Sequence, residues 1–348
     1  MTTHTRIPVS LPRRRFLKFG AALGGVAATS SFITVEAVAA GRSKVNMQLG
    51  WLASNGIMGE VVAKRMGFYE EEGIELEVTP GGPGVDGVAS VAAGRAQVGH
   101  LSSSPSLMLA RSAGIPIKAF AAGYQKHPFT YFSLESNPIR TPQDMVGKTI
   151  ATQPTAVILL RALLARNGIA EDQVEVVKMG SDMNQLMTGQ AAAVTGWMTN
   201  TNALKVLGDG RVDMMLWDAG IQLYANVYYA TDDMLANHAD VLARFLTGSA
   251  RGWGEARANP EAGVDHLVAE YRNLSRESEL EAVGPVLGFS FNDVTASDGW
   301  AAMHPDNWQA QIDTYAELGQ FKGKTPTVDD VMNTDILTAT ESARKQIG

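Results

Sequence analysis

No cysteine occurs among the 348 residues. Thiol catalysis, disulfide staples, Cys-ligated zinc and iron–sulfur clusters are thereby excluded, since each needs a thiol or thiolate. Basic residues are the scarcer charge, 29 against 36 acidic, which gives a formal net charge of −7. That balance argues against a general nucleic-acid binder, because phosphate contacts need clustered Lys and Arg. Catalytic signatures are missing as well. The six His are scattered, and none falls in a His-x-x-x-His or His-Glu-x-x-His spacing; Gly-x-Ser-x-Gly is also absent. His238 and His266 stand in helical stretches with no metal-ligand spacing around them, and the 15 Met suit core filling better than a copper site. The acidic run Glu70-Glu71-Glu72 reads as a solvated helix end. No catalytic residue, metal or cofactor is assigned.

What is present begins with an uneven charge. Residues 1–40 hold Arg6, Arg13, Arg14, Arg15 and Lys18 against Glu36 alone; without them 24 basic and 35 acidic residues remain, a net −11. The basic stretch Arg13 to Lys18, the Ala- and Gly-rich run Phe19 to Val35 and the small residues Ala37 to Ala40 follow the order of a removable export signal. Its Arg-Arg-x-Phe-Leu-Lys core resembles a twin-arginine signal, with Pro12 where Ser or Thr is usual; an ordinary secretory signal is the alternative. The run is too short and too Gly-rich for a membrane span, which needs about 20 apolar residues. A periplasmic mature protein is expected.

From residue 45 the chain alternates strands and helices. Strands are expected at 45–51, 74–78, 96–101, 115–123, 129–134, 148–152, 174–179, 193–197, 212–216 and 224–231, from period-2 or continuous apolar runs. Helices are expected at 57–72 and 156–167, and after the Gly81 to Gly84 and Ser102 to Pro105 turns. The residues after 231 are expected to be mainly helical, including 242–257, 260–271 and 308–318. Such alternation implies α/β architecture with mostly parallel, doubly wound sheets. Two lobes joined by two crossings are expected: the first from residues 41–134 and 229–348, the second from 135–228. A ligand cleft belongs between them, where strand ends and helix starts converge.

Several passages then carry a resemblance. Lys64 to Val78 reads as a helix, Gly67-Phe68-Tyr69, Glu71-Glu72-Gly73 and a strand. Val91 to Gly99 contains Ala93-Gly94-Arg95-Ala96-Gln97, with Gln97 where Asp is usual. Ala110 to Pro116, Thr141 to Ile150 with Gly147-Lys148, and Thr188 to Val194 follow in order. Together they resemble the periplasmic solute-binding proteins for nitrate, sulfonates, taurine and thiamine-pyrimidine precursors, over nearly all of 45–260. The resemblance implies a type II periplasmic-binding-protein fold and a role as the substrate-binding component of an ABC importer. Its implied partners are a small-molecule ligand and a permease–ATPase complex, with the protein a monomer closing by hinge motion. Trp51 directly after the first strand is more like the thiamine-pyrimidine branch. That branch includes a eukaryotic pyrimidine synthase, whose reaction depends on a cysteine-rich motif that this chain lacks.

By position, five loops reach the cleft. Trp51 and Trp197 could stack on a planar ligand from opposite lobes, or pack within them. Ser54 and Asn55 could contact ligand or cap a helix. Gly82, beside Gly81, could offer backbone amides or mark a tight turn. Ser102, Ser103 and Ser104 offer hydroxyls at a helix start, one of them as the cap. Gln153 and Thr155 hold the matching place in the second lobe, with Thr199 and Asn200 after Trp197. None of these loops contains Lys, Arg, Asp or Glu, which favours a neutral, heteroaromatic ligand over a sulfonate, nitrate or carboxylate. The nearest cation is Lys126, beside His127, and a solvated hinge residue is its other reading.

Overall fold

The computed structural model describes residues 41–82 and 85–348. The export signal read in residues 1–40 lies outside the described residues. Among the described residues ten strands form two five-stranded sheets. In chain order they are β1 (Ser43–Leu49), β2 (Ile74–Thr79), β3 (Val98–Leu101), β4 (Ile117–Tyr124), β5 (Phe129–Leu134), β6 (Thr149–Thr152), β7 (Glu175–Lys178), β8 (Ala193–Trp197), β9 (Arg211–Met215) and β10 (Ala225–Thr231). The first sheet has the order β2-β1-β3-β10-β4 and the second β7-β6-β8-β5-β9.

The two sheets repeat one plan. In the first, β1 runs parallel to β2 and β3, while β10 is antiparallel to both β3 and β4. In the second, β6 runs parallel to β7 and β8, while β5 is antiparallel to both β8 and β9. Each inserted antiparallel strand is thus the one that arrives from the other sheet. The chain crosses twice, between Tyr124 and Phe129 and between Met215 and Ala225.

These crossings correct the expected lobe boundaries. Phe129–Leu134, placed with the first lobe, belongs to the second sheet, and residues 225–228, placed with the second lobe, belong to the first. The reason is burial. Both strands are buried on both faces, as interior sheet positions demand, but an apolar run does not say which sheet it enters.

Helices cover the sheets: α1 (Met58–Arg65), α2 (Gly87–Ala92), α3 (Ser104–Ser112), α4 (Val157–Arg166), α5 (Ala239–Ala258), α6 (Pro260–Glu270), α7 (Arg276–Ser290) and α8 (Pro305–Glu317). The single helix expected over 57–72 is two. Gly67, at φ 80°, turns the chain between α1 and the short helix Phe68–Glu71. α1 and α5 cross very closely. A Cβ on Gly252 would lie 2.0 Å from the Gly59 carbonyl oxygen, so only glycine fits there. The C-terminal segment returns along β4, where Met332 bridges Ala119. One large apolar cluster fills the first lobe and reaches under the second sheet; a smaller one, around Phe132, Met183, Leu186 and Val194, fills the far side of the second. Among the described residues no helix is long and apolar enough to cross a membrane.

Candidate ligand-binding site

The C-terminal ends of β1, β3, β6 and β8 face a cavity of about 820 Å³. The loop after β1 supplies Trp51, Ser54 and Asn55, the start of α3 supplies Ser102 and Ser103, and the loop after β6 supplies Gln153 and Thr155. The end of β8 supplies Trp197, Thr199 and Asn200. Ten of the thirteen residues expected at a ligand site therefore line one space.

The other three do not, for identifiable reasons. Ser104 is fully buried and donates its hydroxyl to Gln311 Oε1 of α8 at 2.5 Å. Lys126 is paired with Asp218 at 3.1 Å, an ion pair that ties one crossing to the other. Gly82 is not part of the cavity wall. Its neighbour Gly81 lets the chain lie against the end of β1, where a Cβ would meet the Leu49 carbonyl oxygen at 2.2 Å and where Gly81 N donates to Trp51 O. Gly81 thus serves close backbone packing, while Gly82, at φ 150°, holds a backbone conformation that favours glycine.

Some of the cavity's polar groups are already engaged. The Gln153 amide donates to the carbonyls of Gly180 and Thr195, at 3.2 and 3.1 Å, and its oxygen accepts from the Thr195 hydroxyl. Others are free. Ser103 starts α3 without capping it, and its hydroxyl has no partner among the described residues. Ser54 precedes the short helix Asn55–Ile57 and likewise makes no side-chain cap.

Two histidines stand in the wall. His127, 1% exposed in the first crossing, accepts the Phe129 backbone N–H at Nδ1 over 3.1 Å. The proton of its neutral ring therefore resides on Nε2. Burial pushes its pKa down to about 3 and that of His100 down to about 4. Both rings are neutral near pH 7 and are poor general bases there. Trp197 is half-buried and packs edge-on to His127, with centroids 5.5 Å apart, and against Tyr124 at 6.0 Å. Trp51 makes no aromatic ring contact among the described residues, so the two indoles do not meet across the cavity.

The C-terminal helices contribute what sequence reasoning missed. Tyr271, Asn273, Leu274 and Ser275 line the cavity from the turn after α6, and Ser278 and Glu279 from α7. The C-terminal residues were expected to be mainly helical, but no bounds were assigned at 276–290, where Gly284, Pro285 and Gly288 interrupt the pattern. Its sequence signal was the N-cap Ser275, which accepts from Ser278 N. Asp86 also lines the cavity, although its carboxylate is used in capping α2 through Ala89 N at 2.9 Å. No Lys or Arg is among the lining residues. Among the described residues no group of three metal-ligating side chains occurs.

Comparison with known proteins agrees with this geometry. The family described as NMT1/THI5 like matches residues 54–263. The chain is 26% identical to the riboflavin-binding protein RibY of Chloroflexus aurantiacus, over 57% of this chain and 58% of that protein. It is 27% identical to the taurine-binding periplasmic protein of Escherichia coli, over 75% and 82%. A formylaminopyrimidine-binding protein of Halalkalibacterium halodurans is 23% identical over 70% and 76%. Among solved structures, the alkanesulfonate-binding protein SsuA of Xanthomonas axonopodis pv. citri superposes with a TM-score of 0.62 at 15% identity, covering 84% of this chain and 98% of that one. A desulfurization enzyme, DSZB, superposes at 0.57 and 14% identity, covering 85% and 98%. The fold is that of the periplasmic binding proteins.

Proposed function

The chain belongs to the NMT1/THI5-like family, and on that premise we propose that it is the substrate-binding component of an ABC importer for a small planar heteroaromatic metabolite. It acts as an exported monomer in the periplasm, sent there by the twin-arginine-type signal, and delivers its ligand to a permease–ATPase complex. The lobes close about their two crossings, and the closed form is the one that docks. The carrying observation is the composition of the cavity wall. Trp51, Trp197 and Phe129 offer aromatic area, while Ser, Thr, Asn and neutral His groups offer hydrogen bonds. A space of about 820 Å³ suits a ring system with substituents.

Two of the sequence relatives above are named for heterocycles and one for taurine, and the superposed SsuA is named for alkanesulfonates, so similarity alone does not choose. The wall supports the heterocycle: without a lining Lys or Arg, a sulfonate or nitrate would meet only neutral donors and two carboxylates. Capture also requires no chemistry. The cavity's histidines are neutral near pH 7, and thiol chemistry is closed to a chain with no cysteine.

The test is calorimetry and thermal shift with riboflavin, formylaminopyrimidine, taurine and nitrate. A heterocycle should raise the melting temperature, since saturation at one hundred times Kd adds about 2.7 kcal/mol. Stabilisation by taurine or nitrate alone would sink the heteroaromatic reading.

A further inference from the structure

Glu279 is the one lining carboxylate that neither caps a helix nor pairs with a cation among the described residues. It is 9% exposed, on the first turns of α7. Among the described residues its single side-chain hydrogen bond is from Asn55 Nδ2 to Oε2, at 2.9 Å. The same Asn55 amide nitrogen reaches the Thr199 carbonyl oxygen at 3.3 Å. One side chain from the first lobe thus touches both the carboxylate and the end of β8 in the second lobe.

α7 itself leans on the second lobe. The Ser278 hydroxyl donates to Asn202 Oδ1 at 3.1 Å, and the Thr201 hydroxyl donates to Ser278 O at 3.4 Å. One turn away, Glu281 pairs with Lys205 at 2.8 Å. Lys205 is therefore occupied elsewhere and does not lie in the cavity wall. Glu279 stands where the loop after β1, the end of β8 and α7 meet.

A carboxylate offers about four acceptor directions, and here one side-chain donor serves them. Burial lifts the pKa of Glu279, with the Asn55 hydrogen bond opposing that rise. Closing the cleft over a ligand removes still more water from this group. That is costly unless the ligand brings positive charge or N–H donors of its own. An anionic ligand would add repulsion to the cost.

We propose that Glu279 sets the charge preference of the site, selecting ligands that present a cationic or multiply N–H-donating edge, and that Asn55 couples its occupancy to Thr199 of the second lobe. This inference rests on the cavity being the ligand site and narrows the substrate class to planar rings bearing amino or amidine-like groups. Donors on the ligand hold Glu279 in place. With Glu279 fixed, Asn55 is held where its amide meets Thr199.

The probes are three planar fragments of one shape and different charge: benzamidinium, benzamide and benzoate, measured by calorimetry and ligand-observed NMR. The purified protein should bind benzamidinium about tenfold more tightly than benzoate, with benzamide between. Glu279→Gln should erase that order while circular dichroism and melting temperature stay unchanged. Asn55→Ala should weaken benzamidinium and benzamide alike, because it loosens closure and not charge selection. Equal or tighter binding of benzoate overturns the proposal. So does the absence of benzamidinium binding at millimolar concentration, or an unchanged preference in Glu279→Gln. A charge preference that holds while riboflavin and formylaminopyrimidine fail to bind would retain Glu279 and reject the heteroaromatic importer reading. Heterocycle binding indifferent to Glu279→Gln, with no charge order among the fragments, would do the reverse.

Discussion

The two walls of the cleft come from equivalent places in two sheets of the same plan, yet they differ in what they carry. The first-lobe side, with the C-terminal helices, brings His100, Asp86 and Glu279. The second-lobe side brings Gln153, Thr155, Thr195, Trp197, Thr199 and Asn200, and no titratable group. Their foundations differ as well. The first sheet lies in a large cluster that includes Trp253, Trp300 and Trp308, with the buried carboxylate Glu60 inside it. The far face of the second sheet rests on a small cluster in which Phe132 is the one ring among aliphatic residues and methionines, and its edge strand β7 is mostly exposed. A heavy, closely packed lobe can hold charged and buried groups in place, whereas a lighter one supplies a neutral, movable wall.

That contrast is most severely tested by the crossing of α1 and α5. Gly252→Val forces a side chain into the Gly59 carbonyl and should cost about 4 kcal/mol, lowering the melting temperature by about 10 °C. In the second lobe, an added Cβ at Gly180 meets nothing nearer than Asp182 Oδ2 at 3.9 Å. Gly180→Ala should therefore stay within about 0.5 kcal/mol of the parent in calorimetric melts. Equal losses would remove the distinction between the lobes.

Glu60 sharpens the comparison from within the first lobe. It is 0% exposed, accepts from the Tyr228 hydroxyl at 2.5 Å and from Trp253 Nε1 at 3.3 Å, and its Oε2 has no partner among the described residues. Burial raises its pKa from 4.5 to about 7. The unfolded chain loses this proton near 4.5, and the folded chain holds it to about 7. The unfolded state therefore binds fewer protons in that window, and this group's contribution to stability falls as pH rises from 4.5 to 7. Glu60→Gln should match the parent near pH 4 and exceed it by about 3 kcal/mol at pH 8, in denaturant titrations at both values. The two lining histidines act with the opposite sign. Held neutral in the fold, they lose stability as pH falls from 6.5 toward about 4 for His100 and about 3 for His127. Being common to both proteins, they cancel in the difference. A difference independent of pH would mean that Glu60 is not held protonated.

The smallest expected effect concerns the two indoles. Trp197 is braced by Tyr124 and His127, so it presents a rigid face. Trp51 stands without an aromatic neighbour among the described residues. Trp197→Ala should weaken riboflavin or formylaminopyrimidine binding about 100-fold and Trp51→Ala about tenfold, by calorimetry. Equal losses would mean that the bracing does not matter to the ligand.

All ten strands were legible, because period-2 and continuous apolar runs report burial directly. Their sheet membership was not. β5 and β10 read as strands in isolation, and only pairing with β8 and β9, or with β3 and β4, assigns each to a lobe. The site shows the same limit. Ser102, Ser103 and Ser104 are interchangeable in the sequence; Gln311, 207 residues on, removes Ser104 from the cavity. Lys126 read as a candidate ligand group until Asp218, 92 residues away, claimed it. Glu279 was invisible because it lies on a helix interrupted by glycines and a proline.

Composition and local order by themselves determined that this is an α/β chain with no thiol chemistry, few cations near its strand ends and a candidate cleft beside Trp51 and Trp197. Those properties depend on residue type and on neighbours within a few positions. Tertiary structure decided which sheet each crossing strand entered, which polar groups were already paired, and that a carboxylate from the C-terminal helices closes the wall. Such outcomes depend on partners far apart in the chain, whose meeting is set by the burial of whole faces and not by any local pattern.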